Sequence, residues 1–198
     1  MAEPLDRLVE CLSRLPGVGR RSARRMAMKL VQDRTGLVRD LIDALKDAGK
    51  DIQCCSLCGS ITRRDRDPCR LCTNPGRDSS VLCVVEDPGD IDLIERSGSF
   101  RGRYHALMGK ISPMKGEGAD DIRMKSLLNR LQSENIREVI LALSTDMEGD
   151  STAGYIVEQL GARKVKVSRL ALGLPAGSGV GYSDSVTLAR ALKGRVEL

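Results

Sequence analysis

The sequence predicts an α+β chain built from several small parts. Three observations predict it. Apolar side chains recur at helical spacing through the first 52 residues. Residues 53–77 have no such period and few apolar side chains, and they contain two C-x-x-C pairs. From Ser79 onwards, short apolar runs alternate with helical patterns, which is typical of a parallel-type sheet with helices.

The N-terminal region is predicted to be a small helical unit of three helices. The first covers LDRLVECLSRL, and Pro16-Gly17 is expected to end it. The helical period resumes from Ala23 in a second helix. A third helix is predicted near residues 37–45, with Gly49 as its stop.

The cysteine-rich segment, residues 53–77, has too little apolar surface to form a core of its own, so something else must stabilise it. Two C-x-x-C pairs ten residues apart are the spacing of a tetrahedral Zn²⁺ site. Four thiolates leave no open position on the metal, so the predicted role is structural. Cys54 is an alternative to Cys55, and nearby arginines are expected to offset the charge of the centre. The predicted ligands are Cys55, Cys58, Cys69 and Cys72.

The third part is predicted to be an α/β domain. Its expected strands are VLCVV (81–85), EVILALS (138–144) and KVKVSRLAL (164–172). Helices are expected in PGDIDLIERSG, in residues 121–134 and in residues 151–161, the last with Asp150 or Ser151 as its N-cap. A glycine-rich loop then leads to a final helix around SVTLARALKGR.

The stretch LPGVGRRSARR joins a glycine turn to a basic helix. Seven basic and three acidic residues lie within residues 1–30, so +4 of the chain's +5 net charge is concentrated there. The pattern resembles a helix-hairpin-helix, in which backbone N–H groups and arginines hold DNA phosphates. The chain has one Phe, three Tyr and no Trp, which disfavours base stacking. An ordinary helical corner with an exposed basic face is the alternative. The candidate DNA-binding residues are Gly17, Gly19, Arg20, Arg21, Arg24 and Arg25.

Acidic residues directly follow two of the predicted strands. In a parallel sheet these positions meet at one edge, where clustered carboxylates can hold Mg²⁺. The pattern resembles a Toprim domain, although TDMEGDST lacks the D-x-D element of Toprim enzymes and no tyrosine is placed as a nucleophile. Solvated loop carboxylates or contacts to a partner are the alternatives. The residues are Glu86, Asp146, Glu148 and Asp150.

Three other polar or reactive side chains are expected to be structural. His105 has no companion at metal-ligand spacing, and Cys11 and Cys83 lie on apolar faces and are expected in the core. No G-x4-G-K-[ST] motif for nucleotide phosphates is present.

Taken together, six stretches, spread along nearly the whole chain, resemble the RecR family of bacterial recombination mediators. They are LPGVGRRSARRMA, CSLCGS with DPCRLC, VLCVVEDPGDIDLIE, FRGRYHALMGKISPMKG, EGDSTAGYI and SRLALGLPAGSGVGYSDSVTL. The resemblance implies four parts: a helix-hairpin-helix at 1–52, a four-cysteine zinc finger at 53–77, a Toprim-like domain at 78–172, and a C-terminal loop and helix at 173–198.

The resemblance also implies a function. RecR-like proteins act without enzymatic activity in gap repair, together with RecO and RecF, to load RecA. They form rings, as tetramers or dimers, that can surround DNA. It implies DNA-binding roles for Arg21 and Arg25 above all, and an acidic loop that faces RecO or chelates Mg²⁺. No membrane-spanning run or signal core is present, so a cytoplasmic, nucleoid-associated protein is expected.

Two other hypotheses compete with the mediator. One is a Mg²⁺-dependent Toprim nuclease or primase-like enzyme, which differs from the mediator at the acidic loop. The other is a zinc-stabilised protein-interaction module whose basic helix is incidental, and it predicts no salt-dependent affinity for DNA.

Overall fold

The computed structural model describes residues 3–161, 163, 165–171, 173–174, 177 and 179–195, and it confirms the predicted α+β class. The chain divides into two compact units, of which the first ends at Ile52 and the second begins at Gln53. Across the described ranges, no helix has both the length and the apolar composition needed to cross a membrane.

The first unit consists of α1 (Glu3–Ser13), α2 (Arg20–Val31) and α3 (Leu37–Asp51). Val9 of α1 is buried against Ala23 and Ala27 of α2, and leucines of α1 surround this contact. Alanine has the smallest side chain that favours a helix, so the two helices can approach closely. α1 ends at Ser13, ahead of the Pro16-Gly17 turn.

The prediction that Gly49 stops the third helix is wrong, because α3 continues through it to Asp51. A glycine inside a helix costs only about 1 kcal/mol relative to alanine. The helix ends where Ile52 adopts an extended conformation and begins the next strand.

The second unit begins within a small two-stranded sheet and continues into a four-stranded parallel sheet. The small sheet pairs β1 (Ile52–Cys54) with β2 (Ile61–Arg63), and α4 (Arg70–Thr73) follows it. The parallel sheet contains β3 (Asp78–Val85), β4 (Gly102–Ala106), β5 (Glu138–Ala142) and β6 (Lys166–Arg169). Its helices are α5 (Pro88–Ser97), α6 (Met124–Ser133) and α7 (Met147–Leu160), and α8 (Ser185–Lys193) closes the described chain.

Helices pack on both faces of the parallel sheet. Ile91 of α5 joins Cys83 of β3 in one buried cluster. Leu127 of α6 and Ile156 of α7 join Leu82 of β3 in the other. Consecutive side chains of a strand point to opposite faces, which explains why the neighbours Leu82 and Cys83 lie in different clusters.

The strand order is β4-β3-β5-β6, with every pair parallel. The chain moves from β3 to its neighbour β4, then returns past β3 to β5. The direction of winding therefore reverses between β3 and β5. In open α/β sheets the crevice beyond the carboxyl ends at such a point is where ligand sites form.

Three strands of the parallel sheet were predicted and the fourth, β4, was missed. Its five residues, GRYHA, neither alternate cleanly nor form an apolar run, so they carry no strand signal. The predicted strand at 164–172 is real but shorter, and Lys164 and Leu172 lie outside the described residues. Of the predicted glycine-rich loop, residues 175, 176 and 178 also lie outside them.

The N-cap of the predicted helix at 151–161 is also wrong. α7 begins earlier, at Met147, and Asp146 caps it by accepting a hydrogen bond from Gly149 N. Asp150 is in the first turn, where its charge favours the positive end of the helix dipole.

Candidate functional site

The turn between α1 and α2 presents backbone donors at the start of α2. Gly17 has φ +74°, a conformation that favours glycine, and Val18 N donates to Leu15 O at 3.1 Å. Gly19 is the N-cap and supplies no side-chain acceptor. The first N–H groups of α2 therefore point out of the helix without an intrahelical partner, as an anion requires.

The four arginines of α2 are all exposed, and within the described chain none forms an ion pair. The four side chains lie on different sides of the helix. At 100° per residue, Arg20 and Arg24 flank the buried Ala23–Ala27 side, whereas Arg21 and Arg25 lie on the opposite side of the helix.

A cleft of about 940 Å³ separates the acidic side of α1 from the start of α2. Arg20, Arg21 and Arg24 line it, and Arg25 does not. The facing acidic residues are Glu3, Asp6 and Glu10. Carboxylates across the cleft weaken the field of the arginines that line it, so Arg25 has the most open surroundings of the four.

The four predicted metal ligands form one buried cluster. Their sulfur atoms all lie within 4.8 Å of one another, with Cys58 Sγ 3.4 Å from Cys69 Sγ and Cys55 Sγ 4.0 Å from Cys72 Sγ. Four sulfurs placed 2.3 Å from a tetrahedral Zn²⁺ are about 3.8 Å apart, so the cluster fits this ion. Cys54 is exposed and outside the cluster.

The loops around the cysteines direct N–H groups at the sulfurs. Ser60 N donates to Cys58 Sγ at 3.4 Å, and Cys69 N donates to Cys55 Sγ at 3.3 Å. Such bonds stabilise thiolates. Without a metal the thiols compete for protons: a hydrogen bond from Cys58 lowers the pKa of Cys69 to about 2, and the same contact raises the pKa of Cys58 to about 12. A divalent cation removes this competition.

The cysteine-rich segment is joined to the parallel sheet by a small set of contacts. Cys58 O accepts from Ala106 N at 2.8 Å, and Arg123 Nη2 donates to Ser56 O at 2.8 Å. Gly59 has φ +82°, and a Cβ there would overlap the Arg123 guanidinium. A metal bound by the cysteines would therefore stabilise a segment fastened to β4.

The edge formed by the carboxyl ends of β3 and β5 brings together three of the four predicted acidic residues. Glu86 accepts from Ser144 N at 2.6 Å, and Asp146 and Glu148 begin α7. A cation lies among them. Lys110 Nζ is 2.5 Å from Asp146 Oδ2, 3.7 Å from Glu148 Oε2 and 3.8 Å from Glu86 Oε2.

These contacts alter the acid–base behaviour of the group. The hydrogen bond from Lys110 lowers the pKa of Asp146 to about 2, and the same bond raises the pKa of Lys110. A hydrogen bond from Ser112, at 2.6 Å, lowers the pKa of Glu148. Asp146 and Glu148 are therefore anions, and Lys110 a cation, throughout the neutral range.

Asp150, the fourth acidic candidate, lies apart from this group. Its carboxylate is paired with Arg169 Nη1 at 2.6 Å, and Arg169 Nη2 donates to Ser144 O. A residue two positions after Glu148 on a helix lies about 200° around the axis, which is why the sequence cluster divides in space.

The remaining predictions have mixed outcomes. Cys83 is buried as expected, but Cys11 is exposed, so its placement in the core is wrong. His105 is buried in the sheet and its Nε2 lies 3.1 Å from Arg123 O. The sequence did not predict the structural roles of Lys110 and Arg123. Both residues come after β4 in the chain, and without that strand their places beside the acidic edge and the cysteine-rich segment could not be predicted.

Comparisons with family models cover most of the chain. A model described as "RecR, helix-hairpin-helix" matches residues 5–49, one described as "Toprim domain" matches residues 80–171, and one described as "RecR, C-terminal" matches residues 173–196.

Three curated relatives match along the full length, and each is called "Recombination protein RecR". One from Moorella thermoacetica is 48% identical over 196 residues, which is 99% of this chain and 98% of the relative. One from Anaeromyxobacter sp. strain Fw109-5 and one from Anaeromyxobacter dehalogenans are each 42% identical over 198 residues, which is 100% of this chain and 99% of each relative.

Proposed function

The chain belongs to the RecR family of recombination proteins, and on that premise we propose that it is a DNA-binding mediator of recombinational repair. In this proposal it acts at DNA gaps with RecO and RecF to load RecA, and it does so as a ring-shaped homo-oligomer, a tetramer or a dimer. It works on the nucleoid in the cytoplasm and carries out no reaction of its own.

The observation that supports DNA binding most directly is the set of exposed arginines beside the Gly17–Gly19 turn, none of which forms an ion pair with another described residue. Backbone N–H groups and guanidinium groups together suit phosphate oxygens. In the proposal Arg21 and Arg25 make the main contacts, since both lie on the side of α2 opposite the buried Ala23–Ala27 contact with α1. Arg21 also lines one margin of the cleft, and Arg25 lies outside it. Arg20 and Arg24 add to the general field from beside the acidic cleft.

A salt titration of duplex binding tests this assignment. The double variant Arg21→Ala/Arg25→Ala is expected to lower affinity and to reduce the salt slope by roughly 2, about 0.9 per lost phosphate contact. The measurement is fluorescence anisotropy with a labelled duplex from about 50 to 200 mM salt, the range over which such contacts are lost.

Arg20→Ala/Arg24→Ala is the matched control, because it removes the same charge from the same helix. A smaller loss is expected from it than from the first pair. Equal losses would assign binding to net charge alone. If neither pair changed the affinity, the DNA-binding role of α2 would be wrong and an incidental basic helix would be favoured.

Zinc is the metal that the proposal places in the cysteine cluster, with a structural role. The donor set of four thiolates is the one that structural zinc sites use, and it leaves no position for a substrate. When bound, Zn²⁺ would be held by Cys55, Cys58, Cys69 and Cys72, and those residues would fix the segment against β4.

Self-association is supported by an exposed apolar face on α3. Five apolar side chains line one side of this helix, and none of its residues is buried. Apolar rows of this length on a helix are typical of contacts between chains. The side chains, 37% to 72% exposed, are Leu37, Val38, Leu41, Ile42 and Leu45. A ring would add weak contacts from several copies of α2 on one DNA molecule.

The acidic edge of the parallel sheet is the surface that the proposal assigns to RecO. The alternative of a Mg²⁺-dependent nuclease or primase-like enzyme needs free carboxylates at this edge. Lys110 lies among Glu86, Asp146 and Glu148, and Asp150 is paired with Arg169, which gives that alternative less support.

A further inference from the structure

Lys110 reaches the acidic edge from a strained loop. Leu107 N and Gly109 N donate to Val85 O and Glu86 O, so the loop after β4 continues the pairing with β3. Met108 has φ +63°, and it is the one non-glycine among the described residues with a positive φ. Such a conformation persists only where the surrounding contacts impose it, and functional sites are where it concentrates.

Each of the three carboxylates uses one oxygen for local structure. Glu86 Oε1 accepts from Ser144 N, Asp146 Oδ1 accepts from Gly149 N at 2.7 Å, and Glu148 Oε1 accepts from Ser112 Oγ. These bonds fix the orientation of all three groups, so their positions do not depend on a bound ion.

The second oxygen of each carboxylate faces the same point. Glu86 Oε2, Asp146 Oδ2 and Glu148 Oε2 are all within 3.8 Å of Lys110 Nζ. Ser144 Oγ adds a fourth oxygen at 3.3 Å from this nitrogen. The Lys110 side chain is 22% exposed, so most of its length is covered while its ammonium contacts these oxygens.

A divalent cation would need the same point. Mg²⁺ takes oxygen ligands at about 2.0–2.1 Å in octahedral geometry, and Mn²⁺ suits the same carboxylate and water ligands. Two cations cannot share a position a few Å wide, because their repulsion adds to the steric conflict. Lys115, which also pairs with Glu148 at 3.1 Å, is 62% exposed and lies at the margin of the group.

We propose that Lys110 is the resident cation of this carboxylate cluster and that its ammonium keeps the site free of divalent metal. The lysine thereby turns an acidic sheet edge of the kind that binds Mg²⁺ into a preformed surface of fixed charge. This inference concerns metal exclusion, and it can fail without affecting the proposed role of the protein in DNA repair.

Mn²⁺ binding to the full-length, zinc-loaded protein tests the proposal, with free Mn²⁺ measured by electron paramagnetic resonance. The native protein is expected to show no site that depends on Asp146. Lys110→Met keeps the length of the side chain and removes its charge. It should bind Mn²⁺ on the order of 100-fold more tightly, because a unit charge a few Å away is removed.

Lys115→Met is the matched control, since it removes a charge from the same group without vacating its centre. It is expected to leave Mn²⁺ affinity within about threefold of the native value, because an exposed charge is screened by solvent. Adding Asp146→Asn to Lys110→Met should abolish the new site. Mn²⁺ should also raise the melting temperature of Lys110→Met and leave that of the native protein unchanged.

Two results would overturn the proposal. One is Mn²⁺ binding by the native protein that Asp146→Asn removes, and this result requires no Lys110 variant to fold. The other is a folded Lys110→Met, judged by circular dichroism, whose Mn²⁺ affinity does not rise above that of Lys115→Met.

Discussion

At the scale of single residues, His105 has the clearest consequence for stability. It is the only histidine in the sequence and has no exposed surface. Its Nε2 lies 3.1 Å from Arg123 O, while Nδ1 has no hydrogen-bond partner among the residues that the structure describes. Burial lowers the pKa of His105 to about 3, so the folded protein keeps the ring neutral.

The sign of the pH dependence follows from this shift. Between a pH of about 3 and the ordinary histidine pKa of 6.5, the unfolded chain binds a proton that the folded chain does not. The stability that the neutral, buried His105 contributes is therefore fully present above the ordinary histidine pKa, and it is lost as the pH falls below that value. For one such histidine, the free energy of unfolding should decrease by about 1.5 kcal/mol between roughly pH 6.5 and pH 5.

Urea unfolding at several pH values measures this effect. His105→Phe removes the titrating group and is the reference, so the predicted difference is in the slope against pH rather than in absolute stability. Parallel slopes for the native protein and His105→Phe would contradict the prediction. Such a result would mean that the ring is protonated inside the folded protein.

At the scale of elements, the cysteine-rich segment depends on its metal. Only three-residue strands and a four-residue helix lie within it, and its buried residues are mainly the four cysteines. A structural zinc contributes on the order of 10 kcal/mol to the folding of such small units. The bonds to Ala106 and Arg123 hold the folded segment on β4, but they give it no apolar core.

Chelation of the metal should therefore lower the melting temperature and expose residues 53–77. Differential scanning fluorimetry and hydrogen–deuterium exchange, with metal content followed by mass spectrometry, measure both effects. Cys58→Ser is expected to lose the metal. Cys54→Ser is the matched control and should keep it, because Cys54 is outside the cluster. Unchanged melting after complete metal removal would refute the structural role.

At the scale of the whole molecule, the apolar face of α3 predicts self-association. Glutamates at Leu41 and Leu45 would place charge in the middle of this face, and burying an unpaired charge is costly. The double variant Leu41→Glu/Leu45→Glu is therefore expected to have a smaller mass in solution. Light scattering after gel filtration measures it, as multiples of the 21.5 kDa chain.

Arg39→Glu/Lys50→Glu is the control. At 100° per residue, both positions lie on the polar side of α3, away from the apolar face. It should leave the mass unchanged. A native mass of one chain, with and without DNA and RecO, would exclude the proposed ring. If the native protein forms a ring and the Leu41/Leu45 variant keeps its mass, another surface must join the copies.

Much of the fold could be predicted because the signals were local. The periods of α1, α2 and α3, the apolar runs of β3 and β5, and the C-x-x-C spacing are all properties of short stretches. The signals failed where position in the fold decided the outcome. β4 lies at the end of the strand order and gains its place by pairing with β3, although its own five residues are ambiguous.

The sequence by itself determined the order of the parts, the four cysteines and the basic turn, because each depends on residues close together in the chain. The tertiary structure alone decided that Lys110 meets Glu86 and Asp146, and that Asp150 does not. Those contacts join the ends of three neighbouring strands, and strand order is a long-range property that no local spacing encodes.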